Sequence, residues 1–291
     1  MSTIRTFIKK HSVLTYFTLT FAISWGGILL IIGGPGRIPG TSEEAETLLP
    51  LAILVMTVGP SIAGILLTGL IHGKAGFSEL LSRLFRWRVA VRWYAVALLT
   101  TPLLATAVLL ALTLVSPEFL PTIVTTDDKV SPLLFGIVAG LVVGIFEELG
   151  WTGFAVPELR SRYGVLTTGL IVGFLWAAWH FLVYIWGSGT SSGAFSLALF
   201  LPEFLFLVTV LPVYRVLMVW VYDHTGSLFV AMLMHAIHTA FTTSILVPMA
   251  TGLSRVIYYF IFTAALWVFV AVVLRQQSLP RPARAPLPDK A

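Results

Sequence analysis

Runs of about 20 apolar residues recur along this chain, the length at which a helix crosses the hydrocarbon core of a bilayer. They fall at about Val13 to Gly34, Leu48 to Ile71, Trp93 to Ser116, Pro132 to Phe154, Tyr163 to Trp186, Phe195 to Val221, Leu228 to Val247 and Arg255 to Leu274. In lipid a lone segment must satisfy its own backbone hydrogen bonds, so runs of this length are helices. The expected fold is therefore all-α, a polytopic membrane protein with about eight transmembrane helices. Composition agrees, because only 11% of residues are charged where soluble proteins carry about a quarter. The first run is too long for a signal peptide's apolar region and no small-residue cleavage site follows it, so it reads as a retained helix. There are no cysteines, which removes disulfides and thiolate metal sites.

Basic residues concentrate on the cytoplasmic side of membrane proteins with short loops. An inside N-terminus places Arg5, Lys9 and Lys10 there, then Lys74, Arg83, Arg86, Arg88 and Arg92, then Arg160, Arg162 and Arg215, then the tail. Glu43, Glu44, Glu46, Glu118, Asp127 and Asp128 gather on the other side. The reading is a multi-pass cell-membrane protein with both termini cytoplasmic. The net charge of +5 follows the spans, so the bilayer and not nucleic acid is the expected partner. Residues 1–275 form one transmembrane domain, with a functional core at about 132–247. Phe77 to Trp93 reads as an amphipathic helix on the cytoplasmic surface. Residues 276–291, rich in proline and arginine, read as a disordered tail.

An ionisable group inside a span is costly and therefore a functional candidate. Six stand out: Glu147, Glu148, His180, Glu203, His235 and His238. All lie on the fourth to seventh spans. Gly136, Gly140 and Gly144 line one face of the fourth span and lead to Glu148, and small residues at this spacing let helices approach closely. Trp176 and His180 share a face of the fifth span below Gly169 and Gly173, while His235, Thr239 and Thr242 form a polar stripe on the seventh. Glu203 follows Pro202 and is assigned to the backbone that the proline frees. His238 is read as a neighbour rather than a catalyst.

Three motifs now appear in order, each on a separate span. Glu147 to Phe154 resembles the EExxxR motif of the CAAX-protease and bacteriocin-processing (CPBP, or Abi) intramembrane proteases. Trp176-Ala177-Ala178-Trp179-His180 resembles the family's WxxWH, and His235 to Thr239 resembles its HxxxN. The resemblance implies a glutamate-dependent intramembrane endopeptidase in which Glu147, with His180, activates a water. It implies further that Glu148 supports Glu147, and that His235 and residue 239 stabilise the oxyanion. The substrate would be a peptide or protein segment, lipidated or not, and no cofactor or metal is implied. Two positions depart from the pattern. Thr152 stands in place of the arginine and Thr239 in place of the asparagine, which leaves Arg160 and Arg162 as candidates for the missing cation.

Depth along the bilayer sets a condition. At 1.5 Å per residue, His180 lies on the order of 10 Å from Glu147 along the membrane normal, unless the fifth span starts earlier or tilts. Among other chemistries, no HExxH zinc helix is present, and Gly187-Ser188-Gly189 reads as a linker rather than a serine-nucleophile turn. A proton-coupled transporter would also place Glu and His in the membrane, and a catalytically silent binding protein would keep the motifs without the reaction.

Overall fold

Eight helices of the computed structural model, which describes residues 2–278, are long and apolar enough to cross a membrane. They are α1 (Ser12–Ile32), α2 (Ser42–Leu84), α3 (Val91–Thr113), α4 (Val130–Arg160), α5 (Val165–Trp186), α6 (Leu197–Thr225), α7 (Leu228–Ile245) and α8 (Gly252–Ser278). A short helix, Ser2–Lys10, precedes them, and no strand forms among the described residues. The all-α, eight-helix expectation therefore holds. Of the proline-rich tail, residues 279–291 lie outside the described residues.

Glycines decide which helices touch. A Cβ added at Gly136, Gly140 or Gly144 would sit 3.1, 2.3 or 2.7 Å from the carbonyl oxygens of Ala240, Ala236 and Met232. The small-residue face of α4 is therefore its contact with α7. The opposite face, with Leu134, Phe135 and Val138, is exposed and suited to lipid. Gly169 and Gly173 do the same for α5 against α6, where an added Cβ would lie 2.4 Å from the Cα atoms of Val216 and Pro212. Gly150 meets α2, within 2.2 Å of the Pro60 carbonyl by the same measure. Helix α6, packed against α5, α7 and α8, is the most enclosed span: 78% of its apolar stretch is buried, against 22% for α4.

Asp128 caps α4, its Oδ1 accepting from the amides of Val130 and Ser131 at 3.0 and 3.1 Å. The hydroxyl and amide of Ser131 hold that carboxyl below its usual range. Span four does not stop at Phe154. It passes through a π-helical turn, Trp151–Ala155, and continues to Arg160. A second π turn, Phe241–Ile245, closes α7. Each follows directly on a stretch that carries motif residues, where such turns often mark functional sites.

The surface helix expected at Phe77 to Trp93 is corrected. Helix α2 bends at Gly73, whose φ of 63° and ψ of −146° only glycine adopts without steric cost. The helix resumes and ends at Leu84, residues 86–90 are non-helical, and Trp93 already belongs to α3. The segment does not lie free on the surface. Leu80 is buried against Leu228 and Met232, and Arg83 donates to the Gly153 carbonyl at 3.1 Å and the Tyr222 hydroxyl at 2.8 Å.

Candidate active site

Glu147 and Glu148 close the regular part of α4 just before its π turn. Adjacent helical residues point about 100° apart, as 3.6 residues per turn requires. The two carboxylates therefore meet different helices, although both are buried.

Glu148 is saturated. Arg215 Nη1 of α6 donates to Oε2 at 2.9 Å, and Nη2 stands 2.9 Å from Oε1. The Nη2 approach is an ion-pair contact rather than an aligned hydrogen bond, and Arg215 Nε has no partner among the described residues. His235 of α7 places Nδ1 2.7 Å from Oε1, and the Thr152 hydroxyl donates to Oε2. A carboxylate only accepts, so His235 Nδ1 is the donor. Charge-assisted contacts of this kind are the strong ones, and desolvation strengthens them further.

Glu147 is held differently. Its Oε2 accepts from two indoles, Trp151 at 3.1 Å and Trp176 at 2.8 Å. Oε1 accepts no hydrogen bond from the described residues. His235 Nε2 stands 3.9 Å from Oε2, beyond hydrogen-bond reach. Trp151 is fixed by Tyr16, Phe17 and Trp179, with ring centroids 5.6–5.7 Å away. Trp176 packs edge-on against His235 at 4.8 Å, and the Arg215 guanidinium lies 4.3 Å over its ring.

His180 is not brought into contact with Glu147. Helix α5 begins at Val165, no earlier than expected, and Trp176, one turn before His180, takes the place beside the carboxylate. His180 Nδ1 donates to the Trp176 carbonyl at 2.8 Å, which leaves Nε2 as its uncommitted nitrogen. Trp176, and not His180, is therefore the α5 residue that meets Glu147. Thr239 sits one turn beyond His235, half-buried. Thr242 and Thr243 bond back to carbonyls one turn earlier, but no such bond engages the Thr239 hydroxyl among the described residues.

The remaining candidates take structural places. His238 stacks on Tyr214 at 3.8 Å and meets the Thr101 hydroxyl through Nδ1 at 3.2 Å. Glu203 does not serve freed backbone; it pairs with Arg255 at 3.2 Å. Among the described residues, no three His, Asp or Glu side chains converge as metal ligands would. A cavity of about 450 Å³ opens beyond the π turn, lined in part by His72, Arg83, Gly153, Glu158 and Tyr222, and neither motif glutamate lines it.

Arg215 is the residue that sequence reasoning missed. The expected sixth span ends at Val221, only six residues past Arg215, and the residue reads there with the cytoplasmic charges. The helix instead runs to Thr225 and stops at Gly226, which takes the left-handed φ of 58°. Arg215 therefore lies about 15 Å inside the end of the helix. Arg160 is not the missing cation, since it pairs with Asp223 at 2.8 Å, and Arg162 is exposed. His224-Thr225-Gly226-Ser227 marks that stop in the sequence and sets Arg215 ten residues before the helix end rather than six.

Residues 129–241 match the protein family described as Rce1-like, type II CAAX prenyl endopeptidase. That interval contains every residue just placed around the two glutamates except those of α1. A CAAX prenyl protease 2 of Methanococcus maripaludis is 27% identical over an alignment of 188 residues that covers 60% of this chain. The chain spans 64% of the length of that curated relative.

Proposed function

Through residues 129–241 this chain belongs to the CPBP family of membrane proteases, and from that premise we propose that it hydrolyses peptide bonds with a water activated by Glu147. The observation that carries the reading is the asymmetry of the two carboxylates. Glu148 has both oxygens engaged by Arg215, His235 and Thr152, so it is an anchor. Glu147 has one oxygen held by two indoles and the other uncommitted, as a general base requires.

In this mechanism water rests on Glu147 Oε1. As its oxygen bonds to the scissile carbonyl carbon, its proton passes to Glu147. The resulting oxyanion accepts hydrogen bonds from the Thr239 hydroxyl and from Nε2–H of His235 in its doubly protonated form, since Nδ1–H is already committed to Glu148. Collapse breaks the C–N bond, and Glu147 returns the proton to the departing amine, leaving a carboxylic acid and an amine. The two indoles hold Glu147 in place through the cycle. His180, one turn from Trp176, keeps Nε2 uncommitted and does not hold Glu147. The substrate is a peptide or protein segment, and the relative's name makes a prenylated peptide tail the first to test.

The test is a peptidase assay on purified full-length protein, wild type against Glu147→Gln, with and without a strong chelator. Cleavage that falls by roughly 10²-fold or more in the variant, and is indifferent to chelator, is the expected result. Wild-type rates in Glu147→Gln would reject the role of Glu147, and proton-coupled uptake into proteoliposomes without cleavage would identify a transporter.

A further inference from the structure

Helix α6 carries none of the three motifs, yet it buries a whole guanidinium at the centre of the bundle. A buried ion is costly unless paired, and Arg215 is 0% exposed against a carboxylate that is also 0% exposed. Its contacts reach every motif helix. It binds Glu148 of α4, covers the Trp176 ring of α5, and shares the carboxylate with His235 of α7. Gly169 and Gly173 let α6 come close enough for this, and the Arg215 Cβ would lie 3.2 Å from a Cβ added at Gly173.

A second route leads to the same carboxylate. The buried Thr152 hydroxyl touches Oε2 from one turn further along α4. Position 152 is also where the EExxxR pattern carries its arginine. A cation can thus reach Glu148 along α4 from position 152 or across the helix interface from position 215. Two guanidiniums there would meet over the same pair of oxygens and repel.

We propose that Arg215 is the positioning residue of this site, a cation supplied across helices in place of one at position 152. It fixes Glu148, and through it the ring of His235, while its plane over Trp176 steadies the indole that holds Glu147. This assignment rests on the protease reading for its catalytic consequence, but not for the pairing itself.

The two positions should be interchangeable together and not separately. Four full-length proteins in one detergent decide this: wild type, Arg215→Met, Thr152→Arg, and the double variant Arg215→Met/Thr152→Arg. Each single change should lower Tm, Arg215→Met by roughly 6–20 °C, because it leaves a buried carboxylate unpaired. The double variant should recover most of that loss. Arg215→Met made on a Glu148→Gln background should cost far less than on the wild type. In the peptidase assay, Arg215→Met should lower kcat by about 10²-fold, as small misplacements in a site do, and the double variant should return to within about tenfold of wild type. If Arg215→Met fails to accumulate, accumulation of the double variant is the rescue readout.

A double variant no more stable than the worse single change overturns the proposal. So does a folded Arg215→Met that cleaves at the wild-type kcat, since the ion pair would then be structural only. Should wild type cleave nothing, the protease reading falls, while the Tm pattern still decides whether positions 152 and 215 serve one carboxylate.

Discussion

Replaced by glutamine one at a time, the adjacent Glu147 and Glu148 should fail in different ways. Glu148→Gln removes the negative charge from a pair whose partners are fully enclosed, leaving Arg215 buried and unpaired. Breaking such a pair from one side costs about 3–5 kcal/mol. A protein of this size loses roughly 2–4 °C of Tm per kcal/mol, so the expected fall is roughly 6–20 °C. Glu147→Gln keeps a carbonyl oxygen that can accept from both Trp151 and Trp176, and no cation depends on it. Its cost should be about 1 kcal/mol or less, within roughly 4 °C of wild type. Activity should show the reverse specificity: Glu147→Gln stays folded yet loses the 10²–10⁴-fold that a general base typically contributes. Tryptophan fluorescence on heating in one detergent gives both midpoints, and peptidase rates measured well below them separate chemistry from unfolding. A Glu147→Gln protein that melts as low as Glu148→Gln, or a Glu148→Gln protein that melts with wild type, would refute the division into base and anchor.

Thr239→Val keeps the size of the side chain but removes its hydroxyl, and should lower kcat by about 10²-fold with little change in Tm; Thr239→Asn should keep activity because it retains a donor. Gly140→Ala should destabilise by about 1–3 kcal/mol, because its Cβ would lie 2.3 Å from the Ala236 carbonyl, whereas Gly26→Ala has nothing within 4 Å and should be neutral or stabilising in the same melting assay. The proposed orientation puts exposed Arg88 in the cytoplasm and exposed Glu43 outside. Since the chain has no cysteine of its own, single cysteines at these positions report their side with an impermeant thiol reagent, and outside labelling at 88 would reverse the topology.

What could be read from sequence, and what could not, divides along one physical boundary. Span length and the glycine stripes are local properties, and both carried through: Gly136, Gly140 and Gly144 do form a contact face, because a missing Cβ admits a backbone wherever the partner comes from. The motif residues on α4 and α7 also converge, His235 bonding Glu148 at 2.7 Å and standing 3.9 Å from Glu147. What failed depended on where helices end and on which register they meet. Arg215 lies inside the expected sixth span, yet its charge reads as cytoplasmic because that span ends six residues later at Val221 rather than at Gly226, and the missing cation is then expected at Arg160 or Arg162. Hydropathy ranks an arginine as a reason to stop a span, although a helix enclosed by its neighbours can carry one wherever a carboxylate is waiting. The register of α5 against α4 was equally hidden. It puts Trp176 rather than His180 beside Glu147, a one-turn difference that no spacing within α5 could reveal. The departure at position 152 contained the clue to the first error. A buried glutamate that has lost its expected cation must find another, and apart from Arg255 at the start of the last span the eight expected spans hold a single arginine, Arg215.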